Sequence, residues 1–231
     1  MTATAATDLA SSVAIILDGN ARWAQQRGLP VAEGHRAGTR AVRRTVEAGI
    51  DLGIRSLALY AFSTENWARP PDEVEALMEI FGETIDRELP ELAREGVRTR
   101  FVGRRDRAPE ELRRKMEELE ETTAANDRLH LWIAFDYGGR AEIVDAVRKL
   151  VEEGGDVDED RFSAHLYAPE MPDPDLLIRT SGELRISNFF LWQLAYAELV
   201  FVDTLWPDFG EEQLRSALAD YARRRRRFGG R

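Results

Sequence analysis

Val13-Ala-Ile-Ile-Leu-Asp-Gly-Asn-Ala-Arg-Trp23 decides how the chain is read. Five apolar residues run without a polar break into Asp18 and Gly19-Asn20. A short apolar run closed by a turn signal reads as a buried strand, with Asp18 at its carboxyl end. In open α/β sheets ligands bind outside that end. Gly19 permits a tight turn there, and Arg22 follows within one helical turn of the acid. An acid able to hold a metal, backbone N–H groups and a cation therefore come together, which suits a polyphosphate. The competing reading is a strand closed by an Asx-turn with Arg22 on the surface, and this stretch alone leaves both open.

The 231 residues suit one domain with a substantial core. No apolar run approaches the ~20 residues needed to span a bilayer. Residues 1–12 lack the basic region and apolar stretch of a signal peptide and read as a disordered tail, with the domain spanning 13–231. Zero cysteines exclude disulfides and zinc–thiolate sites and suit a reducing cytoplasm. A net charge of −10 argues against a nucleic-acid partner. Arg223–Arg227 is a local exception, read as a solvated helix end, with a phosphate or partner contact as the alternative.

Strands are expected at Ser56–Phe62, Arg98–Val102, Leu129–Phe135, Leu176–Ile178 and Glu198–Val202. Pro30–Gly34 reads as a loop, and His35–Ala48 as a helix. Asp72 reads as the N-cap of a helix that Pro90 should kink or break. Pro109–Thr123, Ala141–Glu153 (with Ile143, Val147, Leu150 and Val151 inward) and Glu211–Arg227 read as further helices. Strands alternating with helices of crossover length predict an α/β domain with a six-stranded, mostly parallel sheet flanked by helices.

The chemically distinctive segments, Asp18–Trp23, Ser63–Arg69, Asp136–Arg140 and Arg179–Ser187, each follow the carboxyl end of an expected strand. In a parallel sheet they meet in one cleft. Trp23, Tyr60, Phe62 and Trp67 supply apolar walls; Arg22, Arg69, Arg140, Arg179 and Arg185 supply positive charge. Such a site fits a phosphorylated hydrocarbon better than a nucleotide or sugar. No Gly-rich nucleotide loop or H-E-x-x-H occurs. Three histidines and no cysteine leave little for a transition metal. Mg²⁺, held by one or two carboxylates and substrate phosphates, is the metal this set allows. Asp18 is its first candidate ligand. Glu198, an acid within an apolar run, is the second, with a salt bridge to an arginine as its structural alternative.

Asp18-Gly-Asn-Ala-Arg-Trp23, Gly34-His35, Phe62-Ser-Thr-Glu-Asn-Trp-Ala-Arg-Pro70 and Tyr137-Gly-Gly-Arg140 resemble motifs of the cis-prenyltransferases, the undecaprenyl diphosphate synthase-like isoprenyl transferases. So do the stretches Asp175–Asn188, Trp192–Glu198 and Leu205–Phe209. The resemblance runs in order from about Val13 to Gly230. It implies the family's own α/β fold, a homodimer, Mg²⁺, and condensation of isopentenyl diphosphate with an allylic diphosphate, typically farnesyl diphosphate. Gly19, Asn20, Ala21, Arg22, Trp23, Val31 and His35 would then surround the allylic diphosphate. Arg179, Arg185, Ile186 and Ser187 would bind isopentenyl diphosphate. Asn66 would help remove the proton that sets the cis double bond, beside Ser63, Thr64, Glu65, Trp67 and Arg69. Arg227 and Gly229 would reach across the dimer, and Glu198 would join Asp18 on the metal, with a partner subunit as its alternative origin. The lipid product implies a cytoplasmic enzyme in peripheral contact with the inner face of a membrane.

Four residues depart from the family pattern. Ala21 stands where glycine is usual, Val31 where a basic residue is common, Asp136 where asparagine is usual, and Trp132 is bulky for its strand. Whether Trp132 or the opposite face, with Leu129, Leu131 and Ile133, lines the product tunnel is open, and so is product length. A phosphohydrolase with Asp18 as nucleophile would want a second acid where Asn20 stands. A non-catalytic subunit would have lost the acid or arginines that persist here. The trans-type D-D-x-x-D motif is absent.

Overall fold

The structure, a computed structural model, describes residues 10–224. Its six strands are β1 (Ser12–Ile16), β2 (Ser56–Ser63), β3 (Val97–Val102), β4 (Leu129–Tyr137), β5 (Leu176–Arg179) and β6 (Glu198–Phe201). Seven helices alternate with them: α1 (Asn20–Gln26), α2 (Val31–Asp51), α3 (Pro71–Arg94), α4 (Glu110–Thr122), α5 (Gly139–Glu153), α6 (Glu159–Ser163) and α7 (Glu211–Arg223). The sheet order is β3-β4-β2-β1-β5-β6, and every neighbouring pair is parallel. The expected α/β architecture is observed.

Both faces of the sheet are covered, so the central strands are apolar on both sides. Val13 and Ile15 of β1, Leu57 and Leu59 of β2, and Leu129 and Leu131 of β4 pack toward α2 and α7. Further along that layer, Leu77, Met78 and Ile85 of α3 meet Leu112, Met116 and Leu119 of α4 around Phe62 and Phe135. Ala14, Ile16, Ala58, Tyr60 and Trp132 face the other way, onto Phe189 and Phe190. Trp132, its Nε1 donating to Ser56 Oγ at 3.1 Å, lies on the face away from α2, opposite Leu129, Leu131 and Ile133.

Several boundaries differ from expectation. The tail does not extend through Ser12: Ala10 is buried, and the N–H groups of Ser11 and Ser12 donate to the Asp175 carboxylate at 3.0 and 3.1 Å. Val31–Gly34 is helix, with Pro30 in the cap position, because proline's missing N–H is no loss at a helix start. Likewise Pro70, not Asp72, caps α3, and Pro109 caps α4. Helix α3 continues past Pro90 to Arg94, since only the last turn lies beyond the proline. In α5 the inward face is Glu142, Ala146 and Leu150, whereas Val147 and Val151 are exposed. The cause is Glu142, drawn inside to accept from Tyr137 Oη, the Tyr167 N–H (3.0 Å) and Gln193 Nε2 (3.1 Å). That contact rotates the valines outward. Arg227 and Gly229, with most of the terminal arginine run, lie outside the described residues.

Helices α1 and α2 are held together at a glycine. A Cβ on Gly34 would collide with the Asn20 carbonyl and stand 3.1 Å from Ala24 Cβ. Alanine gains about 1 kcal/mol in helix propensity over glycine, but a clash with fixed backbone outweighs it. Gly34→Ala is therefore expected to lower stability by at least about 1 kcal/mol net in urea unfolding. A stabilised variant would show that α1 yields freely.

Candidate active site

The site is built on the end of β1. Asp18 follows the strand, and its N–H is held by Thr180 Oγ1 at 2.9 Å while Thr180 Oγ1 donates back to the Asp18 carbonyl at 2.7 Å. Gly19 then turns the chain at φ 110°, and a Cβ there would lie 2.9 Å from Leu205 Cδ2, so both conformation and space require glycine. Ala21 lies inside α1 and is absent from the residues with positive φ. Its departure from glycine therefore carries no backbone strain.

Arg179, at the end of β5, is almost wholly buried and donates to Asp18 Oδ2 at 2.9 Å and Ser187 Oγ at 2.6 Å. Its other close partner is the Arg185 carbonyl. Arg22 holds Ser181 through its carbonyl (3.1 Å) and Oγ (2.5 Å) and stands 3.6 Å from Asp18. Burial pushes the Asp18 carboxyl up, but hydrogen bonds from Arg179 and Ser181 and the charges of Arg179 and Arg22 outweigh it. The net shift is downward, so Asp18 is ionised at neutral pH. Glu183 is ion-paired closely to Arg185 and at 3.7 Å to Arg22. Carboxylates thus stand against the arginines that the sequence marks for phosphate.

A cleft of about 260 Å³ brings together Asp18, Asn20, His35, Ser63, Asn66, Arg69, Arg179 and Arg185. It is walled by Ile16, Leu17, Tyr60, Ala61 and Phe62. Beyond it, between α2 and α3, a smaller cavity of about 80 Å³ is lined by Val42, Ala61, Leu77, Ile80, Phe81 and Trp206. His35 borders both, with its Nε2 buried and without a hydrogen-bond partner. Desolvation, with the Arg69 charge acting the same way and Glu73 opposing, pushes its pKa down to about 4. Asn66 Oδ1 accepts the Ser63 N–H at 2.9 Å, and Arg69 pairs with Glu73 at 2.9 Å.

Other expected residues lie apart. Trp23 turns away, its Nε1 donating to Asp208 at 2.7 Å under the Arg27 guanidinium. Val31 lines a separate cleft beside His35. Ile186 packs under the opposite face of the sheet. Thr64 Oγ1 donates to Glu65, whose carboxylate also accepts from Asn188 at 2.9 Å. Trp67 points toward α4 rather than into the cleft. Arg140 is exposed, with its N–H donating to Asn188 Oδ1 at 2.9 Å.

Glu198 does not meet Asp18 within this chain. It opens β6 opposite Leu176, which pairs with Val13, whereas Asp18 lies beyond the far end of β1. Its carboxylate bonds Arg224 at 2.8 Å, the salt-bridge alternative. No group of three or more His, Cys, Asp or Glu side chains suited to a metal occurs among the described residues. Thr180, Ser181 and Asn188 fall within stretches marked from the sequence but were given no role of their own, and nothing in a charged run such as Arg104–Arg107 marks Arg107 as the residue that pairs with Asp136.

The family model described as putative undecaprenyl diphosphate synthase matches residues 16–229. An isoprenyl transferase of Thermotoga maritima is 52% identical over 223 residues, 94% of this chain and 96% of the relative. A farnesyl-diphosphate-specific ditrans,polycis-undecaprenyl-diphosphate synthase of Xanthomonas axonopodis pv. citri is 52% identical over 224 residues, covering 94% and 87%. Among solved structures, lavandulyl diphosphate synthase from Lavandula x intermedia, in complex with dimethylallyl diphosphate, superposes with a TM-score of 0.93 at 38% identity over 96% of this chain and 98% of that one. A probable undecaprenyl diphosphate synthase of Campylobacter jejuni gives 0.82 at 31% identity over 95% and 98%. With its parallel sheet, its Asp18–Arg179 cleft and these relatives, the chain belongs to the undecaprenyl diphosphate synthase family of cis-prenyltransferases, enzymes that transfer prenyl groups.

Proposed function

We propose that this enzyme condenses isopentenyl diphosphate with an allylic diphosphate, farnesyl diphosphate in the first instance, and extends it to a Z-polyprenyl diphosphate. The observation that carries the reading is the polarity gradient of the cleft. Asp18, Arg179, Arg185 and His35 line it, and the mainly apolar cavity between α2 and α3 adjoins it, sharing Leu17, Asn20, His35, Ala61 and Leu77.

In this reading the allylic diphosphate lies against the backbone after Asp18, with Arg22 and His35 beside it, and isopentenyl diphosphate lies against Arg179, Arg185 and Ser187. Loss of the allylic C–O bond leaves its electron pair on diphosphate, where fixed cations stabilise the charge. Leu17, Ala61 and Leu77 keep water from the allylic cation until the isopentenyl double bond attacks it. Asn66 stands near enough to the cleft to assist removal of the proton that ends the step.

Mg²⁺ fits this donor set. Asp18 is partly exposed, ionised and the one acid lining the cleft, which matches a hard cation that completes its shell with diphosphate oxygens and water. When bound it would supply charge neutralisation for the leaving diphosphate. Glu198 would contribute only from a second copy. Support for a homodimer comes from β6, an edge strand with exposed Leu199, and from the exposed Val144, Val147 and Val151 of α5. Sedimentation should give a dimer that Val147→Glu weakens; a monomeric parent would remove this surface from the reading. No helix among the described residues is long and apolar enough to cross a membrane, and we place the enzyme in the cytoplasm, meeting the membrane only through its lipid product.

A short-chain Z-isoprenyl diphosphate is a second reading, favoured by the small inner cavity, where Phe81 packs edge-on to Phe62 and Phe135. Incubating the enzyme with Mg²⁺, farnesyl diphosphate and labelled isopentenyl diphosphate, then sizing the dephosphorylated products, tests both. No Mg²⁺-dependent incorporation with two-, three- or four-unit primers would sink the proposal. Asp18→Asn, which preserves an acceptor for Arg179, should lower turnover at least about a hundredfold without unfolding the chain.

His35 gives a pH prediction. Its pKa is about 4 folded against 6.5 for the ordinary side chain, so between those values the unfolded chain binds the extra proton. Stability is therefore lost as pH falls from about 6.5 to 4. The thermal midpoint of the parent should fall more steeply across that window than that of His35→Gln. Parallel curves would show that His35 is not held neutral.

A further inference from the structure

The turn that carries Asn66 is held at its start by the Ser63–Asn66 hydrogen bond and at Glu65 by Asn188, and its far end, at Trp67, has an anchor of its own. Residues Thr64–Ala68 form a single short 3-10 turn, none of them buried, between the cleft and a groove of about 900 Å³ that separates α3 from α4. Such a short 3-10 segment does not fix its own position. Its anchor lies beneath Trp67 and Arg107, both of which line the groove. Asp136, wholly buried at the end of β4 with φ 45°, accepts from Trp67 Nε1 at 2.8 Å. Arg107 closes the set. Its Nε donates to Asp136 Oδ2 at 3.1 Å, its Nη2 makes a still closer contact to Oδ1, and its guanidinium lies 5.0 Å from the Trp67 ring centre. The same indole meets Phe62 edge-on at 5.1 Å.

A buried carboxylate with only an indole N–H for company would be strongly unfavourable, and the guanidinium supplies the opposite charge with bidentate geometry. Once paired, Asp136 is a fixed acceptor at a fixed depth. Trp67 is pinned to it, and the adjacent backbone places Asn66 and Arg69 in the cleft wall.

We propose that Asp136 and Arg107 are positioning residues for prenyl transfer, acting through the Trp67 indole to hold Asn66 and Arg69 in place; this rests on the reading of the cleft as the transfer site. None of the three needs to touch the reacting atoms. The pair works from behind the wall of the active site.

Trp67→Phe keeps a ring and removes only the N–H, while Arg107→Gln removes the charge. Each should lower kcat about ten- to a hundredfold in isopentenyl incorporation, the loss expected from small misplacement of catalytic groups. Because both break one network, the double variant should lose little more than the worse single variant. Asp136→Asn, which keeps an acceptor for the indole, should retain more kcat than Asp136→Ala. If Asp136→Ala does not fold, the two other single variants and their double decide the matter. Fluorescence supplies a readout independent of activity: the Trp67 emission, taken as the parent minus Trp67→Phe, should shift when the same difference is measured in the Arg107→Gln background. Unchanged kcat per folded molecule, losses that multiply, or an unshifted Trp67 emission would overturn the proposal. An inactive parent that still shows the emission shift would instead overturn the transfer reading and leave the clamp standing.

Discussion

The structure depends on one buried guanidinium. Arg179 ends β5, one strand in from the β6 edge of the sheet, with almost no solvent around it, so its charge must be answered by protein groups. Those groups come from three places in the chain: the Asp18 carboxylate after β1, the Ser187 hydroxyl, and the Arg185 carbonyl. Removing the carboxylate from such a pair costs about 3–5 kcal/mol, because a charge is left buried without a partner. The cleft is therefore assembled by folding itself, before any ligand arrives.

A second constraint follows from the loop that carries Ser187. Ser187, Asn188 and Phe190 all have positive φ, which non-glycine residues adopt at a cost. Phe189 and Phe190 offset it by stacking in the buried layer under β1 and β2. Asn188 adds a network of its own. Its carbonyl accepts the Gly139 N–H at 2.7 Å, its Oδ1 the Arg140 N–H at 2.9 Å, and its Nδ2 reaches Glu65. The Arg179–Ser187 side of the cleft is thereby tied to the turn that holds Asn66.

Much of this was legible in residue order. The apolar runs of β1, β2 and β4, the acid at the end of β1 and the convergence of three of the four marked segments in one cleft follow from pattern and topology, whereas Asp136–Arg140 stays outside that cleft. Illegible parts share a cause: in each, a polar group won a contest that apolar periodicity does not score. Glu142 rotated α5 because three donors were waiting for it. Asp136 is tolerated as a buried acid because the Arg107 guanidinium reaches it from the surface. Prolines start helices where a loop or an Asp cap was expected. Glu198 reads as a metal acid from its apolar neighbours, yet strand register places it at the opposite end of the sheet from Asp18.

The pairing of charges at the mouth also bears on how the enzyme avoids wasting its site. Arg22, Arg179 and Arg185 are already paired with Asp18, Ser181, Ser187 and Glu183, although the buried Arg179 Nε has no hydrogen-bond partner among the described residues. An anion of single charge gains little by displacing these contacts, since each one lost offsets the one made. A diphosphate offers several acceptors and more charge to the same cations at once, and so gains where a single carboxylate or phosphate does not. In the proposed function, specificity for diphosphate would arise from competition with the protein's own acids, and the mainly apolar cavity beside His35 would select among diphosphates those that carry a hydrocarbon.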